Sequence, residues 1–462
     1  MKNNIRKLGV FLLIILALLI IYLSYLQLYK GPDLASHPKN RRLAEDIGQI
    51  KRGTIYDQRG TIIAESNWDG QRWVRSYPLA EQLAHVIGYN TEQYGNSGLE
   101  AAYNKQLLGL TGGAKVHNFW QQLMGNDRVG ESLVLTIDAD IQRLAYQLLA
   151  NQGKAGAVVA VDPRTGAIMA ASSYPSFNTN NLQAEWSELV DNDDAPLLNR
   201  AFQGAYPPGS VMKIVTLAGA LTTGISPEQT YQCPGHLKQQ GVNLKDNRVH
   251  GQVNLTEAMV VSCNTTFGRL GLQMGPNHFI DTAGKFGFGQ DLGLPLPVRD
   301  STISAKKSIN SQQLAETAIG QGELLVSPLQ MALATAAVAN DGVLMHPYLI
   351  QEIISATDKP TFRYQPTPLQ EAITPEQAHF IRDAMVSTVE RGTGTATRIN
   401  GVAVAGKTGT AENIHGAPHG WFVGFAPASE PRIAVAVIVE NGGSGGTVAA
   451  PIARQLILEA LR

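Results

Sequence analysis

A serine hydroxyl attacks an acyl carbon when a base lies within hydrogen-bond reach, and Ser-x-x-Lys at the start of a helix sets the amine one turn above the hydroxyl. The chain carries this pattern as Ser36…Lys39, Ser210…Lys213 and Ser304…Lys307. Only Ser210 stands between a turn, Pro207-Pro208-Gly209, and an aliphatic helix, Ile214–Leu221, that stops at Gly224. Its hydroxyl then sits at a helix N-terminus, where backbone N–H groups favour developing negative charge. The ordinary alternative, a serine N-cap with a solvated lysine, suits the Ser36 and Ser304 copies in their polar segments. A second element is Ser262-Cys263-Asn264, a bare pattern that Ser176-Phe-Asn178 and Ser308-Ile-Asn310 also match. The third, Lys407-Thr408-Gly409-Thr410, contains the only Lys-Thr-Gly and follows an apolar run, Val402–Ala405, read as a strand. That placement would expose Lys407 and the threonine hydroxyls along a strand edge. The ordered set, with Ser262 52 residues after Ser210 and Lys407 another 145 on, is far more specific than any one motif.

Stepping from these residues to what must hold them, Leu8–Tyr29 is 22 uncharged residues preceded by Lys2, Arg6 and Lys7. About 20 residues cross a bilayer as a helix, and a cleaved signal has an apolar run of only about 7–15, so an uncleaved anchor in membrane lipid is expected. The predicted division is a cytoplasmic tail (1–7), the anchor (8–29), a stalk with a small domain (30–132) and one large unit (133–462). Basic residues crowd both flanks of the anchor, so placing the large unit outside the membrane rests on its chemistry. With 37 Lys+Arg against 38 Asp+Glu the net charge is −1, and the three cations of residues 1–29 leave −4 for the remainder. That balance excludes the electrostatic footprint of a nucleic-acid binder. Two cysteines in 462 residues exclude a disulfide scaffold.

Within the large unit, Asp138 is a candidate cap for a helix through Ala150, and Ser327-Pro328 starts another that ends at Asn340-Asp-Gly342. Strands are expected at Val134–Ile137, Ala157–Val161, Gly166–Ala171, Val402–Ala405, Trp421–Phe425 and Ile433–Val439, with a last helix from Ala450 to Leu461. Apolar strands at both ends with helices between them imply a mixed α/β domain whose sheet joins distant halves of the chain. Gly401–Thr408 also fits a phosphate-cradling P-loop, but that needs a helix starting at Lys407, which Gly409 interrupts. His415 and His419 have metal-like spacing in a segment read as a hairpin loop. Cys233 with His236 gives too few ligands for zinc. A Cys233–Cys263 disulfide is left open.

The three-motif set resembles that of penicillin-binding proteins and their serine β-lactamase relatives. Lys51–Gly60 and Ser97-Gly-Leu-Glu100 resemble two boxes of the class B members. Thr136–Asp138, Gly156–Pro163, Asn199–Ala201, Gly320–Gly322 and Pro328–Ala332 resemble their transpeptidase domain. Three departures stand out: Val211-Met212 in place of the usual Thr-Phe, Cys263 in the middle of the second motif, and a region before the catalytic domain too short for a large pedestal. The resemblance implies an antiparallel sheet flanked by helices plus an all-helical part, and a small N-terminal α+β domain of the dimerisation or pedestal type. It implies a peptidoglycan D,D-transpeptidase that acylates Ser210 with stem peptide and is trapped by β-lactams. Lys213 would be the base, its pKa lowered by burial and by Lys407. Ser262 would relay a proton and Asn264 hold the peptide amide. Lys407, Thr408, Gly409 and Thr410 would bind the substrate carboxylate and carbonyl. No cofactor and no metal are expected, and a membrane-embedded glycan polymerase is the implied partner. A D,D-carboxypeptidase or a non-catalytic β-lactam receptor are the alternatives. A class A β-lactamase would need a Glu-x-x-Leu-Asn stretch that is missing after the second motif.

Overall fold

Residues 2–26, 48–239, 241–303, 309–413 and 416–462 are described by the structure, a computed structural model. The Ser36…Lys39 and Ser304…Lys307 copies, His415 and most of the stalk lie outside the described residues. Short uninterrupted apolar runs fit strands covered on both faces. Five such strands form one antiparallel sheet: β1 (Gly156–Val161), β2 (Ile168–Tyr174), β3 (Ala405–Ala411), β4 (His419–Ala426) and β5 (Ile433–Val439), in the order β2-β1-β5-β4-β3. The β1–β5 pairing, Gly156 opposite Val439, closes the two ends of the large unit on each other.

The helices that position the site are α1 (Lys2–Tyr25), α2 (Ala139–Ala150), α3 (Lys213–Thr222), α4 (Asn264–Lys285), α5 (Pro328–Ala339), α6 (Pro375–Arg391) and α7 (Ala450–Ala460). Strand alternation sends Val158 and Ala160 of β1 into a cluster with Ile141 and Ala145 of α2 and Leu456 and Ile457 of α7. Ala157, Val159 and Val161 point the other way, into the main core with Leu329 and Leu333 of α5 and Ile214 and Leu217 of α3. The caps act as expected: Asp138 accepts from Asp140 N and Ile141 N, and Ser327 accepts from Gln330 N ahead of Pro328. α4 is kinked at Gly275, which precedes Pro276 and has φ of 74°.

The predicted strand Val402–Ala405 is displaced. Pairing with β4 runs from Ala405 opposite Phe425 to Ala411 opposite His419, so the Lys-Thr-Gly motif lies inside the edge strand, not after it. Gly409, which interrupts a helix, suits a strand here, as does Gly406. A Cβ on Gly406 would come within 2.4 Å of the Phe422 ring, and one on Gly409 within 2.9 Å of Trp421 Cβ. Lys407 in mid-strand also removes the P-loop geometry, and His419 is the first residue of β4.

A second sheet crosses the 132/133 division. Its order is Pro360–Arg363, Ile350–Ile354, Ser132–Leu135, Ile55–Tyr56, Ile62–Trp68, Trp73–Ser76, so strands from the small domain and from deep within the large unit share one ladder. Beneath it the two early boxes meet. Glu100 is fully buried and takes Arg75 Nε on Oε1 at 2.7 Å and Arg52 Nε on Oε2, while Arg52 also donates to Glu100 O and Asn104 Oδ1. Burial alone would raise the Glu100 pKa, but the two guanidiniums hold the carboxyl below the usual range. Glu100→Ala leaves both cations buried and uncompensated, and should cost about 3–5 kcal/mol in unfolding free energy. Chemical unfolding of the full chain in detergent checks this; a loss under about 1 kcal/mol, the worth of an exposed pair, would contradict the geometry.

Candidate active site

The turn bearing Ser210 is a 3₁₀ segment, Gly209–Met212, that runs directly into α3. Four ties hold it. Tyr206 exchanges two backbone hydrogen bonds with Val326, at 3.0 and 2.9 Å, and its hydroxyl donates to Glu440 Oε1 at 2.7 Å. Arg200 Nε donates to the same oxygen at 2.7 Å, which accounts for the Asn199-Arg-Ala201 stretch. Trp421 Nε1 donates to Pro207 O, and Gly209 N donates to Gly320 O at 2.8 Å. Gly209 has φ of 57° and lies against β3: a Cβ there would come within 3.0 Å of Thr410 O. Val211 and Met212, the two departures, are fully buried and fill the space behind the turn.

Lys213 opens α3 with its side chain fully buried. Its ammonium donates to Ser262 O at 2.6 Å, Ser262 Oγ at 3.2 Å and Asn264 Oδ1 at 2.7 Å. Lys407, also fully buried, reaches the same Ser262 Oγ at 2.8 Å from β3 and donates to Thr408 O at 3.0 Å. Ser262 therefore bridges the two lysines, and it does so in the left-handed region, with φ of 58°. A non-glycine residue held there is a mark of local strain that tends to sit at functional sites. Among the described residues, the Ser210 hydroxyl makes no side-chain hydrogen bond, so the expected Ser210–Lys213 contact is replaced by the Ser262 and Asn264 contacts. Burial lowers the Lys213 pKa to about 8, against the pull of Asp246 and Cys263 in the other direction. Lys407 is pushed well below the ordinary lysine value by burial and by the Lys213 charge. Both amines lie on the Ser262 hydroxyl, so the repulsion between them is mutual and disfavours the charged form of each.

The strand motif divides. Thr410 is exposed at the site, whereas the Thr408 side chain is buried and its hydroxyl donates to Thr393 Oγ1 at 2.6 Å. Thr393, and Asp246 beyond the lysines, carry no local motif and could not be found from sequence. Cys233 and Cys263 are both free thiols. Cys233 is grouped with Asp246, His250 and Cys263, all four donor atoms within 4.8 Å of one another, while His236 turns away to Asn243. The Cys233–His236 pair does not form; Asp246 and His250 come from the loop between the strands Val242–Lys245 and Gly251–Asn254, and Cys263 is the residue before α4. Four such donors could hold a tetrahedral cation such as zinc.

A serine at a helix start, a depressed lysine one turn on and a lysine-bearing edge strand define a serine acyl-transfer site. Residues 156–458 match the penicillin binding protein transpeptidase domain, and residues 52–133 match the penicillin binding protein A dimerisation domain. The chain belongs to the penicillin-binding protein transpeptidase family. It is 35% identical over 499 residues to the peptidoglycan D,D-transpeptidase PbpA of Mycolicibacterium smegmatis, covering 100% of this chain and 99% of the relative. It superposes on penicillin-binding protein A of M. tuberculosis in its ceftriaxone acyl-enzyme complex with a TM-score of 0.86 and 33% identity, covering 90% of this chain and 100% of that one. The D,D-transpeptidase domain from Eggerthella lenta gives 0.81 and 34%, covering 89% of this chain and 98% of that one.

Gly320 has φ of 78°, and a Cβ on it would fall 2.0 Å from Gly209 O. Gly320→Ala should displace the Ser210 turn and slow penicillin acylation by at least about tenfold, the effect of about 1.4 kcal/mol on a barrier. A labelling time course on the full chain measures it, with an unchanged rate as the contrary result.

Proposed function

We propose that this protein is a peptidoglycan D,D-transpeptidase that crosslinks stem peptides through a Ser210 acyl-enzyme and is inhibited covalently by penicillins. The observation that carries this reading is the convergence of buried Lys213 and Lys407 on Ser262 beside the Ser210 turn. The family membership and the β-lactam acyl-enzyme complexes of its structural relatives support it.

Ser210 Oγ attacks the carbonyl carbon of the penultimate D-Ala, and neutral Lys213 takes the hydroxyl proton. The oxyanion faces the backbone N–H groups of Ser210 and Thr410; one donor of this kind is worth about 10² to 10³ in rate. Ser262, held between the two amines, passes a proton to the departing D-Ala nitrogen, and Asn264 holds the peptide amide. The arriving terminal carboxylate supplies the opposite charge that Lys407 lacks in its buried site and so favours protonation of that amine, and the Thr410 hydroxyl donates to the same carboxylate. Thr408 acts on the carboxylate only if its hydroxyl leaves Thr393. An acceptor amine then attacks the acyl carbon, its proton passes through Lys213 to Ser210 Oγ as the carbon–Oγ bond breaks, and the crosslinked peptide and the free serine hydroxyl are released.

The 20-residue apolar run Arg6–Tyr25 within α1 has a mean hydropathy of 2.8 and none of it is buried against the protein. We read it as the single membrane span of a bitopic protein with the catalytic domain outside, and a membrane-embedded glycan polymerase as partner; the accessibility of the crosslinked substrate outside the membrane supports this. The large unit, 133–462, is taken as the transpeptidase domain and 30–132 as its stalk and small domain, one ladder joining the two.

Incubating the full chain with a stem-peptide thioester and an amino acceptor tests the reaction. A transfer product is expected, and hydrolysis alone would identify a carboxypeptidase. Ser210→Ala should abolish fluorescent-penicillin labelling, and Lys213→Met should slow it by about 10² to 10⁴, the range of general-base contributions. Because the neutral amine is the base, the acylation rate of the wild-type chain should rise with pH and level off above a midpoint of about 8. A rate that stays flat from about pH 6 to about pH 10 would remove Lys213 from the base role.

A further inference from the structure

Helices on a folded surface normally turn their apolar stripe toward the core, and the helix Gly112–Leu123 of the small domain does the reverse. Val116, Phe119, Trp120 and Leu123 fall at i, i+3, i+4 and i+7, yet each is 58–62% exposed. The side that docks is polar. Asn118 is buried, donates to Gly109 O and Val129 O, and accepts from Val129 N at 3.0 Å. A second apolar group lies on the Ile62–Ser76 hairpin, where exposed Trp68 meets Trp73 edge-on at 5.5 Å.

The chain arriving from α1 enters between these two features. The short strand Ile50–Lys51 pairs with Arg128–Val129, just past the inverted helix. On its other side Gln49 Nε2 donates to Gln71 O in the hairpin turn, and Lys51 Nζ sits 5.3 Å from the centre of the Trp73 ring. Twenty-one residues, 27–47, separate this point from the described end of α1. Even fully extended they reach only about 75 Å.

We propose that the Val116/Phe119/Trp120/Leu123 face inserts into the headgroup boundary of the bilayer that α1 spans, so that the small domain is held at the membrane at two points. This rests on reading α1 as a membrane span. Tryptophan and phenylalanine are the side chains that settle at that depth. The helix contains no acidic residue, and exposed Lys115 beside the stripe suits anionic headgroups. The exposed stripe itself has no hydrogen-bonding groups except the Trp120 N–H, whereas a protein interface sets about one hydrogen bond per 100–200 Å² to fix orientation. Since the shared ladder joins the small domain to the large one, a second contact with lipid would fix the height and tilt of Ser210 over the membrane.

The test uses the full chain, one copy per nanodisc of phosphatidylcholine and phosphatidylglycerol, with a nitroxide on Leu123→Cys. The two native thiols are buried, so the new one is labelled selectively. The Leu123 label should be open to oxygen and shielded from a water-soluble nickel chelate. A Val249→Cys label on the catalytic domain should be open to the chelate. A Leu16→Cys label within α1 should behave as lipid-buried, and retained penicillin labelling shows that each variant is folded. If Leu123 is open to the chelate while Leu16 is not, the insertion is overturned and the anchor stands. If Leu16 itself is open to the chelate, the anchor reading fails. Shielding of Leu123 from both reagents, or spin–spin broadening when two chains share a disc, would make the face a protein interface and also overturn the proposal.

Discussion

Two lysine ammoniums buried at one serine hydroxyl are the constraint around which the catalytic domain is arranged. A buried cation is costly unless its donors are satisfied, and Lys213 and Lys407 share between them the Ser262 hydroxyl, two carbonyls and Asn264 Oδ1. What the site gains from that cost is chemical: amines pushed toward neutrality by burial become proton acceptors. α3, α4 and β3 must each deliver one motif to the same point, which explains why α3 is buried along its length and why α4 starts immediately after the strained Ser262.

The nucleophile turn depends on that arrangement from the other side. Its fastenings to Val326 and Gly320 on the loop before α5, to Trp421 of β4 and to Glu440 after β5 reach into three separate parts of the domain. A serine so held loses little freedom on reaching its reactive position, which is how positioning lowers a barrier. Among the described residues the Ser210 hydroxyl has no side-chain partner, whereas the Lys213 amine is fully engaged by Ser262 and Asn264.

The small domain is tied in by a different physics. Arg52, Arg75 and Glu100 form a buried charge cluster whose value depends on every member being present. That cluster lies inside the small domain, while the strand Ser132–Leu135, which pairs with Ile55–Tyr56 on one side and Ile350–Ile354 on the other, joins the N-terminal region to the catalytic unit. The box at 51–60 thus serves the joint between the two units, with Asp57 accepting from Ala139 N, and the box at 97–100 serves the interior of the small domain.

Much of this was legible in the order of residues. The long N-terminal apolar helix, the capped helices after Asp138 and Ser327, four of the five central strands and the three motifs follow from local composition, because caps, apolar runs and turns act over a few residues. The reach of β3 did not, since its apolar run ends at Ala405, and only Phe422 and Trp421 lying across Gly406 and Gly409 show why glycine stands in the strand. Nor did the partners of each motif: Thr393 on Thr408, Asp246 near Lys213, and the gathering of Cys233, Asp246, His250 and Cys263. The sequence by itself determined which groups can react, because side-chain chemistry is local. Only the tertiary structure decided which of them meet and in what protonation state, because burial and contact across 52 and 145 residues of chain are properties of the folded whole.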